Sequence, residues 1–153
     1  MRDIHDIDAI ASALIDLIGL LNSPRQDDVL LAAAGVSLPR ALFPLLVRIG
    51  AAGAIGVSLL AEQAGRDHST ISRQVAALEK LGLVKRRANA DDSRINEAVI
   101  TDRGKGTVSR ITKARRKLLG TLLSDWSEKE RHDLVRLNRK LANAMRGAQP
   151  LPP

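Results

Sequence analysis

Apolar residues recur at steps of three and four along most of this 153-residue sequence, the spacing typical of amphipathic α-helices. The first such stripe spans roughly residues 4–21 and ends at Asn22, Ser23 and Pro24. Only two residues are aromatic, Phe43 and Trp126, so the core must be aliphatic, which favours helix packing over an all-β fold. The length is that of one domain, with or without a helical appendage.

Glycine and proline residues divide the next segment into short elements. Residues 27–34 predict a short helix that Gly35 ends. Residues 37–50 predict a second helix, either kinked at Pro44 or beginning close to it, because proline lacks the N–H that a helix interior requires. Ile55 lies between glycines that leave room for one or two residues of strand.

Two helices joined by a glycine turn come next. Residues 58–64 predict the first, which Gly65 closes, and Asp67 is placed to cap the second, which runs from His68 to a break at Gly82. We call this second helix the reader helix. Its predicted inward stripe consists of Ile71, Val75, Leu78 and Leu81.

A two-stranded hairpin, here called the wing, is predicted directly after the reader helix. Residues 83–87 and 95–100 have the composition of strands, and the polar residues 88–94 form the loop between them. The predicted fold class is therefore mainly α with a small β-wing, that is, a winged helix-turn-helix flanked by further helices.

Two long helices are predicted at the C-terminal end. Thr101 can cap a helix over residues 102–123, and Ser127 with Glu130 matches the pattern of a capping box for a last helix. Residues 148–153 are predicted to be a disordered tail. One face of the last helix carries Leu134, Leu137, Leu141 and Met145.

The positive charge of the chain is concentrated in its middle. The sequence holds 24 lysine and arginine residues against 17 acidic ones, for a net charge of +7 and a pI near 10.5. Residues 1–22 carry one basic residue against four acidic ones, residues 66–87 carry six against two, and residues 101–123 carry seven against one. This distribution indicates a polyanionic partner, either nucleic acid or, less favoured, an anionic membrane surface.

The residues that the sequence lacks exclude several classes of protein. Without cysteine there is no disulfide framework, thiolate zinc site or catalytic thiol. His5, His68 and His132 are far apart and have no second ligand at helical spacing, so we expect neither a metal nor another cofactor. No apolar run approaches the roughly 20 residues that span a bilayer, and the acidic N-terminus does not match a secretory signal, so no membrane partner and a cytoplasmic location are predicted.

The reader helix has a polar outer face suited to the major groove of DNA. A helix is narrow enough to enter that groove, where arginine can hold guanine and glutamine can hold adenine, while hydroxyl groups suit phosphates or bases. Arg73 and Gln74 are therefore the predicted specificity residues. A polar face that is merely solvated is the alternative that this helix alone leaves open. The whole face comprises His68, Ser69, Thr70, Ser72, Arg73 and Gln74.

The wing supplies a second set of candidate DNA-binding residues. Its first strand carries Arg86 and Arg87, and Arg94 lies at the far end of its loop, so the hairpin can present guanidinium groups to a phosphate backbone or a narrow minor groove. Asp92 is placed to orient Arg94. Asp91 instead suits ordinary turn chemistry.

These segments resemble the multiple antibiotic resistance regulator (MarR) family of bacterial winged helix-turn-helix transcription factors. The segment LLAEQAGRDHSTISRQVAALEKLGLVKRR, residues 59–87, is similar to the family's two-helix reader and first wing strand. The segment DDSRINEAVITDRG, residues 91–104, is similar to its wing signature, in which Asp, any residue and Arg precede a strand, Thr and Gly. The resemblance runs through much of the chain.

The resemblance implies a homodimer that binds a pseudo-palindromic operator on double-stranded DNA, with its two reader helices in successive major grooves. It implies a helical dimerisation region, residues 1–36 and 102–147, and a winged helix-turn-helix DNA-binding region, residues 37–101. It also implies a repressor that a small-molecule effector releases. The unpartnered stripe of the first helix agrees with a dimer, although a larger monomeric helical domain is the alternative.

Other functions fit the sequence less well. An architectural DNA-binding protein with little sequence preference is the alternative function. An enzyme is not expected and no catalytic residue is predicted, because the sequence has no nucleophile elbow, phosphate loop or paired carboxylate motif. The basic run KARRKLL, residues 113–119, suits a solvated helix face better than a phosphate contact.

Overall fold

A computed structural model describes residues 4–148 and confirms the predicted fold class, mainly α with a small β-wing. The predicted tail lies outside the described residues except for Ala148. In the described part, the helices are α1 (Ile4–Leu21), α2 (Pro24–Ala34), α3 (Phe43–Ala52), α4 (Val57–Ala64), α5 (His68–Lys80), α6 (Asp102–Leu122) and α7 (Glu128–Gly147), and the strands are β1 (Ala54–Gly56), β2 (Val84–Ala88) and β3 (Asn96–Ile100). The reader helix is α5, and β2 and β3 form the wing.

The chain divides into two compact units, Met1–Arg115 and Arg116–Pro153. The first contains the whole sheet and has an aliphatic core drawn from α3, α4, α5 and α6. Burying one large aliphatic side chain contributes about 1.5–3 kcal/mol, so this core fixes the reader helix firmly on the unit. The largest fully buried side chains are Leu46, Ile49, Leu60, Ile71, Leu78 and Ile111.

The inward stripe of the reader helix is shorter than predicted. Ile71, Val75 and Leu78 are buried, whereas Leu81 is 39% exposed. The reason is that α5 ends at Lys80 and the chain turns at Leu81 and Gly82, so Leu81 is no longer carried on the inner face of the helix.

The start of α3 corrects the prediction of a helix that opens near residue 37. Residues 39–42 form a turn in which the Leu42 N–H donates to the Pro39 carbonyl at 2.9 Å, and α3 begins at Phe43. Pro44 occupies the first turn, where its missing N–H needs no helical partner. The alternative prediction, a helix that begins close to Pro44, is confirmed.

A glycine turn joins α4 to the reader helix, as predicted. Gly65 has a φ of +63°, in the left-handed region that favours glycine. The N–H groups of Gly65 and Arg66 donate to the carbonyls of Glu62 and Ala61, both at 3.1 Å, and so close the end of α4. The extended residue Asp67 then starts α5.

The sheet is antiparallel, with β3 between β1 and β2. In its register Arg87 lies opposite Glu97, and Lys85 lies opposite Val99. Ile55 of β1 lies opposite Ala98 on the other edge of β3. The third strand, which the sequence predicts as a residue or two, thus joins the wing to the core.

A close contact between the wing and α6 depends on Gly104. The Thr101 N–H donates to the Leu83 carbonyl at 3.1 Å, and the Thr101 hydroxyl donates to the Gly82 carbonyl at 2.7 Å while accepting from the Gly104 N–H at 3.0 Å. A Cβ atom on Gly104 would lie 2.1 Å from the Leu83 carbonyl oxygen. Only glycine therefore lets α6 start this close to the base of the wing.

The second unit contains the predicted capping box. The Ser127 N–H donates to Glu130 Oε2 at 2.8 Å, and the Glu130 N–H donates to the Ser127 Oγ at 3.1 Å. Both bonds satisfy N–H groups at the start of α7, which otherwise have no helical partner. Within the described part, no residue of α7 is buried.

Candidate nucleic-acid interface

The N-terminus of the reader helix is organised by Asp67. Its carboxylate accepts hydrogen bonds from the Ser69 hydroxyl at 2.6 Å, the Thr70 hydroxyl at 2.6 Å and the Thr70 N–H at 2.8 Å. The Ser69 bond, followed by the two from Thr70, holds the pKa of Asp67 well below its ordinary value. The predicted cap is confirmed, and a negative charge sits at the positive end of the helix dipole.

The hydroxyl groups of Ser69 and Thr70 are constrained by this arrangement. Each gives its only proton to Asp67, so each presents lone pairs rather than a donor to its surroundings. They can accept from an amino group on a base edge, but a bond to a phosphate oxygen would require the hydroxyl to leave Asp67 first.

The rest of the polar face divides according to exposure. His68, Ser69 and Arg73 are exposed, whereas Ser72 and Gln74 are half-buried along with Thr70. Because Ile71 and Val75 point into the core, Arg73 lies on the outer side of the helix. Of the two predicted specificity residues, Arg73 has the freer side chain.

At the tip of the wing, Asp92 and Arg94 form the predicted pair. Arg94 donates from Nε to Oδ1 and from Nη2 to Oδ2 of Asp92, both at 3.0 Å. These bonds lower the pKa of Asp92 and raise the pKa of Arg94. The Arg94 side chain is 89% exposed, so the wing holds its guanidinium in a fixed plane in front of solvent.

Two residues behind the wing tip were absent from the predicted site. Asn89 Oδ1 accepts from the N–H groups of Asp91 and Asp92 at 2.8 and 3.0 Å, and its Nδ2 donates to Glu97 at 3.0 Å. Glu97, which is only 6% exposed, also accepts from Arg87 Nε at 2.7 Å. Hydrogen bonds thus run from β2 through Glu97 and Asn89 to the loop that carries Asp92.

The charge of Glu97 is held by its neighbours. The Arg87 guanidinium, followed by the Asn89 amide, lowers the pKa of Glu97, while burial acts in the opposite direction. Arg87 itself keeps 57% of its side chain exposed, so part of its guanidinium faces solvent. Turn chemistry could have identified Asn89, and the antiparallel register could have placed Glu97 opposite Arg87.

Arg86 faces a different way from the other predicted arginines. Its Nη2 donates to the carbonyl and the hydroxyl of Ser72 on the reader helix, and its backbone N–H donates to Glu79 Oε2 at 2.9 Å. The structure therefore brings Arg73 and Arg94 to the surface as exposed cations, leaves Arg87 partly exposed, and turns Arg86 towards α5.

Other kinds of site find little support among residues 4–148. No group of three or more histidine, aspartate or glutamate residues in that range is arranged to hold a metal ion. No helix in that range is both long and apolar enough to cross a bilayer.

Two sequence comparisons match this chain. The sequence model of the MarR family matches residues 38–95, which contain α3 to α5, β1 and the first strand of the wing. The HTH-type transcriptional regulator YxaD of Bacillus subtilis (strain 168), itself uncharacterized, is 32% identical over 108 residues. The match covers 71% of this chain and 76% of YxaD.

Solved structures share the arrangement of helices and strands. A MarR family protein from Bacillus stearothermophilus superposes with a TM-score of 0.81 at 19% identity, over 95% of this chain and 99% of that protein. A MepR-like protein complexed with pseudoligands superposes with a TM-score of 0.53 at 27% identity, over 97% of this chain and all of that protein.

Proposed function

Since this chain belongs to the MarR family of helix-turn-helix transcriptional regulators, we propose that it recognises a specific pseudo-palindromic operator on double-stranded DNA. Regulators of this family bind DNA, act as dimers and are not enzymes. In the proposed complex α5 lies in the major groove and the wing contacts the backbone or the minor groove. The proposed contact residues are His68, Ser69, Thr70, Ser72, Arg73, Gln74, Arg87, Asp92 and Arg94, with Arg86 considered below.

The exposure of two arginines on neighbouring elements carries this proposal. Arg73 lies on the outer side of α5, and Arg94 is displayed by Asp92 at the wing tip. A bidentate arginine contact discriminates between bases by ~1–3 kcal/mol, whereas a phosphate contact adds affinity without discrimination. A helix that reads bases and a wing that fixes orientation together support a specific regulator over an architectural binder.

The proposed dimer uses apolar surface that the chain leaves uncovered. Among the described residues of α1 none is buried, and eight of its isoleucine and leucine side chains are more than 40% exposed. The apolar side chains Leu134, Leu137 and Met145 of α7 are also exposed. We assign dimerisation to residues 1–36 and 102–147 and DNA binding to residues 37–101. A monomer at micromolar concentration in sedimentation equilibrium would contradict this assignment.

The proposed mode of control is repression that a small-molecule effector relieves. Its support is indirect: a MepR-like protein of the same fold has been solved with pseudoligands bound. A thermal-shift screen against small molecules, followed by titration of each hit into the operator complex, tests the idea. Hits that raise the melting temperature and release the DNA support it, while hits that leave the complex intact argue against it.

Specific recognition is tested by fragment selection. Genomic fragments that the protein retains are sequenced, and the affinity for the recovered site is compared with that for a shuffled duplex of equal length at one salt concentration. A specific regulator should prefer its site by at least about 10³-fold. Equal affinities would support the architectural alternative.

A further inference from the structure

Arg86 belongs to the wing but is attached to the reader helix at two points. Its backbone N–H donates to Glu79, and its guanidinium donates to the carbonyl and the hydroxyl of Ser72. Ser72 and Glu79 are seven residues apart on α5, which corresponds to about 10 Å along the helix axis. Attachment at two separated points restrains β2 against both sliding and rotation relative to α5.

The same side chain is poorly placed to bind DNA. Arg86 is half-buried, its Nη2 is occupied by Ser72, and its Nε is buried with no hydrogen-bond partner in the described part of the chain. Arg94, by contrast, is almost fully exposed. The guanidinium of Arg86 would have to abandon Ser72 before it could reach a phosphate, and Ser72 would then lose its cationic partner.

We propose that Arg86 is a positioning residue that locks the wing to the reader helix, so that Arg73 and Arg94 reach DNA as one rigid unit. This inference rests on the proposed function, because it assigns the two arginines to the same DNA complex. It replaces the sequence-based expectation that Arg86 contacts DNA directly.

The physical consequence is an effect on cooperation between the two DNA contacts. When α5 and the wing move together, docking of α5 in the major groove already places Arg94 near its target, so little further ordering is needed. When the wing is loose, Arg94 must be ordered separately and contributes less. Arg86 should therefore influence operator binding without adding a phosphate contact of its own.

Salt dependence separates positioning from direct contact. Each phosphate contact steepens the plot of log K against log salt by about 0.9, so a direct contact from both subunits of a dimer would be worth about 1.8. Positioning predicts that Arg86→Ala lowers operator affinity by about tenfold or more while the slope keeps its wild-type value. A slope that becomes shallower by about 1.8 overturns the proposal.

A second measurement uses Lys85 as a matched control. Lys85→Ala also removes one cation from β2, but Lys85 is exposed and strand alternation places it on the opposite side from Arg86. The loss of operator affinity caused by Arg94→Ala should shrink in the Arg86→Ala background and stay at its full size in the Lys85→Ala background. Equal losses in the two backgrounds overturn the proposal.

Glu79→Gln keeps the proposal testable if Arg86→Ala does not fold. This variant weakens the second attachment point and leaves the arginine in place. Because it also removes a negative charge, it should raise affinity for a shuffled duplex while lowering the preference for the operator. An unchanged preference contradicts the proposal. If the wild-type protein itself shows no preference for the operator, the proposed function fails instead.

Discussion

The Asp92 carboxylate holds the Arg94 guanidinium with both of its oxygens, at 3.0 Å from Nε and 3.0 Å from Nη2. The Arg94 N–H donates to the same carboxylate at 3.1 Å, so backbone and side chain are fixed together. An arginine that is ordered before binding loses less conformational entropy when it meets DNA. The contribution of Arg94 to binding should therefore depend on Asp92.

A double-mutant cycle tests this dependence. Arg94→Ala should weaken operator binding by about tenfold or more without unfolding the protein, because the side chain is on an exposed loop. Asp92→Ala should weaken it less, because it removes orientation together with a charge that repels DNA. In an Arg94→Ala background the effect of Asp92→Ala should shrink or change sign. Independent, additive effects would contradict the coupling.

Arg73 should read a base, since it lies on the outer side of the reader helix. Arg73→Ala should reduce operator affinity by about 5- to 150-fold, equivalent to ~1–3 kcal/mol, and relax preference at one position in each half-site. Lys80→Ala, at the last turn of the same helix, is the control and should affect operator and shuffled DNA alike. If Arg73→Ala does the same, Arg73 is a phosphate contact.

Glu97 should make the wing sensitive to acid. Because its pKa is lower in the folded protein than in the unfolded chain, its contribution to stability is complete above the ordinary glutamate range and is lost as the pH falls through the folded value. The difference in unfolding free energy between wild type and Glu97→Gln should therefore shrink from about pH 5 towards pH 3. Chemical denaturation at several pH values measures it, and a difference that does not vary with pH would contradict the assignment.

Gly104 should be intolerant of a side chain. A Cβ there would meet the Leu83 carbonyl at 2.1 Å, so Gly104→Ala should destabilise the protein by at least about 1–3 kcal/mol through overpacking. Gly106 is the control, because a Cβ on it meets nothing within 4 Å and alanine favours helix by about 1 kcal/mol. Thermal melts should move in opposite directions for the two variants; a lower melting temperature for both would contradict this account.

Local sequence patterns were sufficient to predict most of the fold. Apolar periodicity predicted α1 at residues 4–21, which is where it lies, and side-chain chemistry predicted the caps at Asp67 and Ser127. The helix start at Phe43 was less clear because the apolar run begins before the turn that precedes it. A hydrophobic pattern marks which residues are buried, but it does not distinguish a buried turn from a buried helix.

The site was predicted where neighbouring residues determine it. Asp92 and Arg94 are two residues apart, so their pairing could be predicted from the loop alone. The direction of Arg86 depends on packing against α5, 14 residues earlier in the chain at Ser72. Strand alternation was an available signal, because it places Arg86 on the same side as the buried Val84.

The most direct test of the account is the affinity of the wild-type protein for its selected operator and for a shuffled duplex, measured over a range of salt concentrations. The account predicts steep salt dependence for both, with a slope of about −0.9 for each phosphate contact, and an operator preference of at least about 10³-fold at a single salt concentration. A flat salt dependence, or equal affinity for the two duplexes, would contradict specific DNA recognition by the reader helix and the wing.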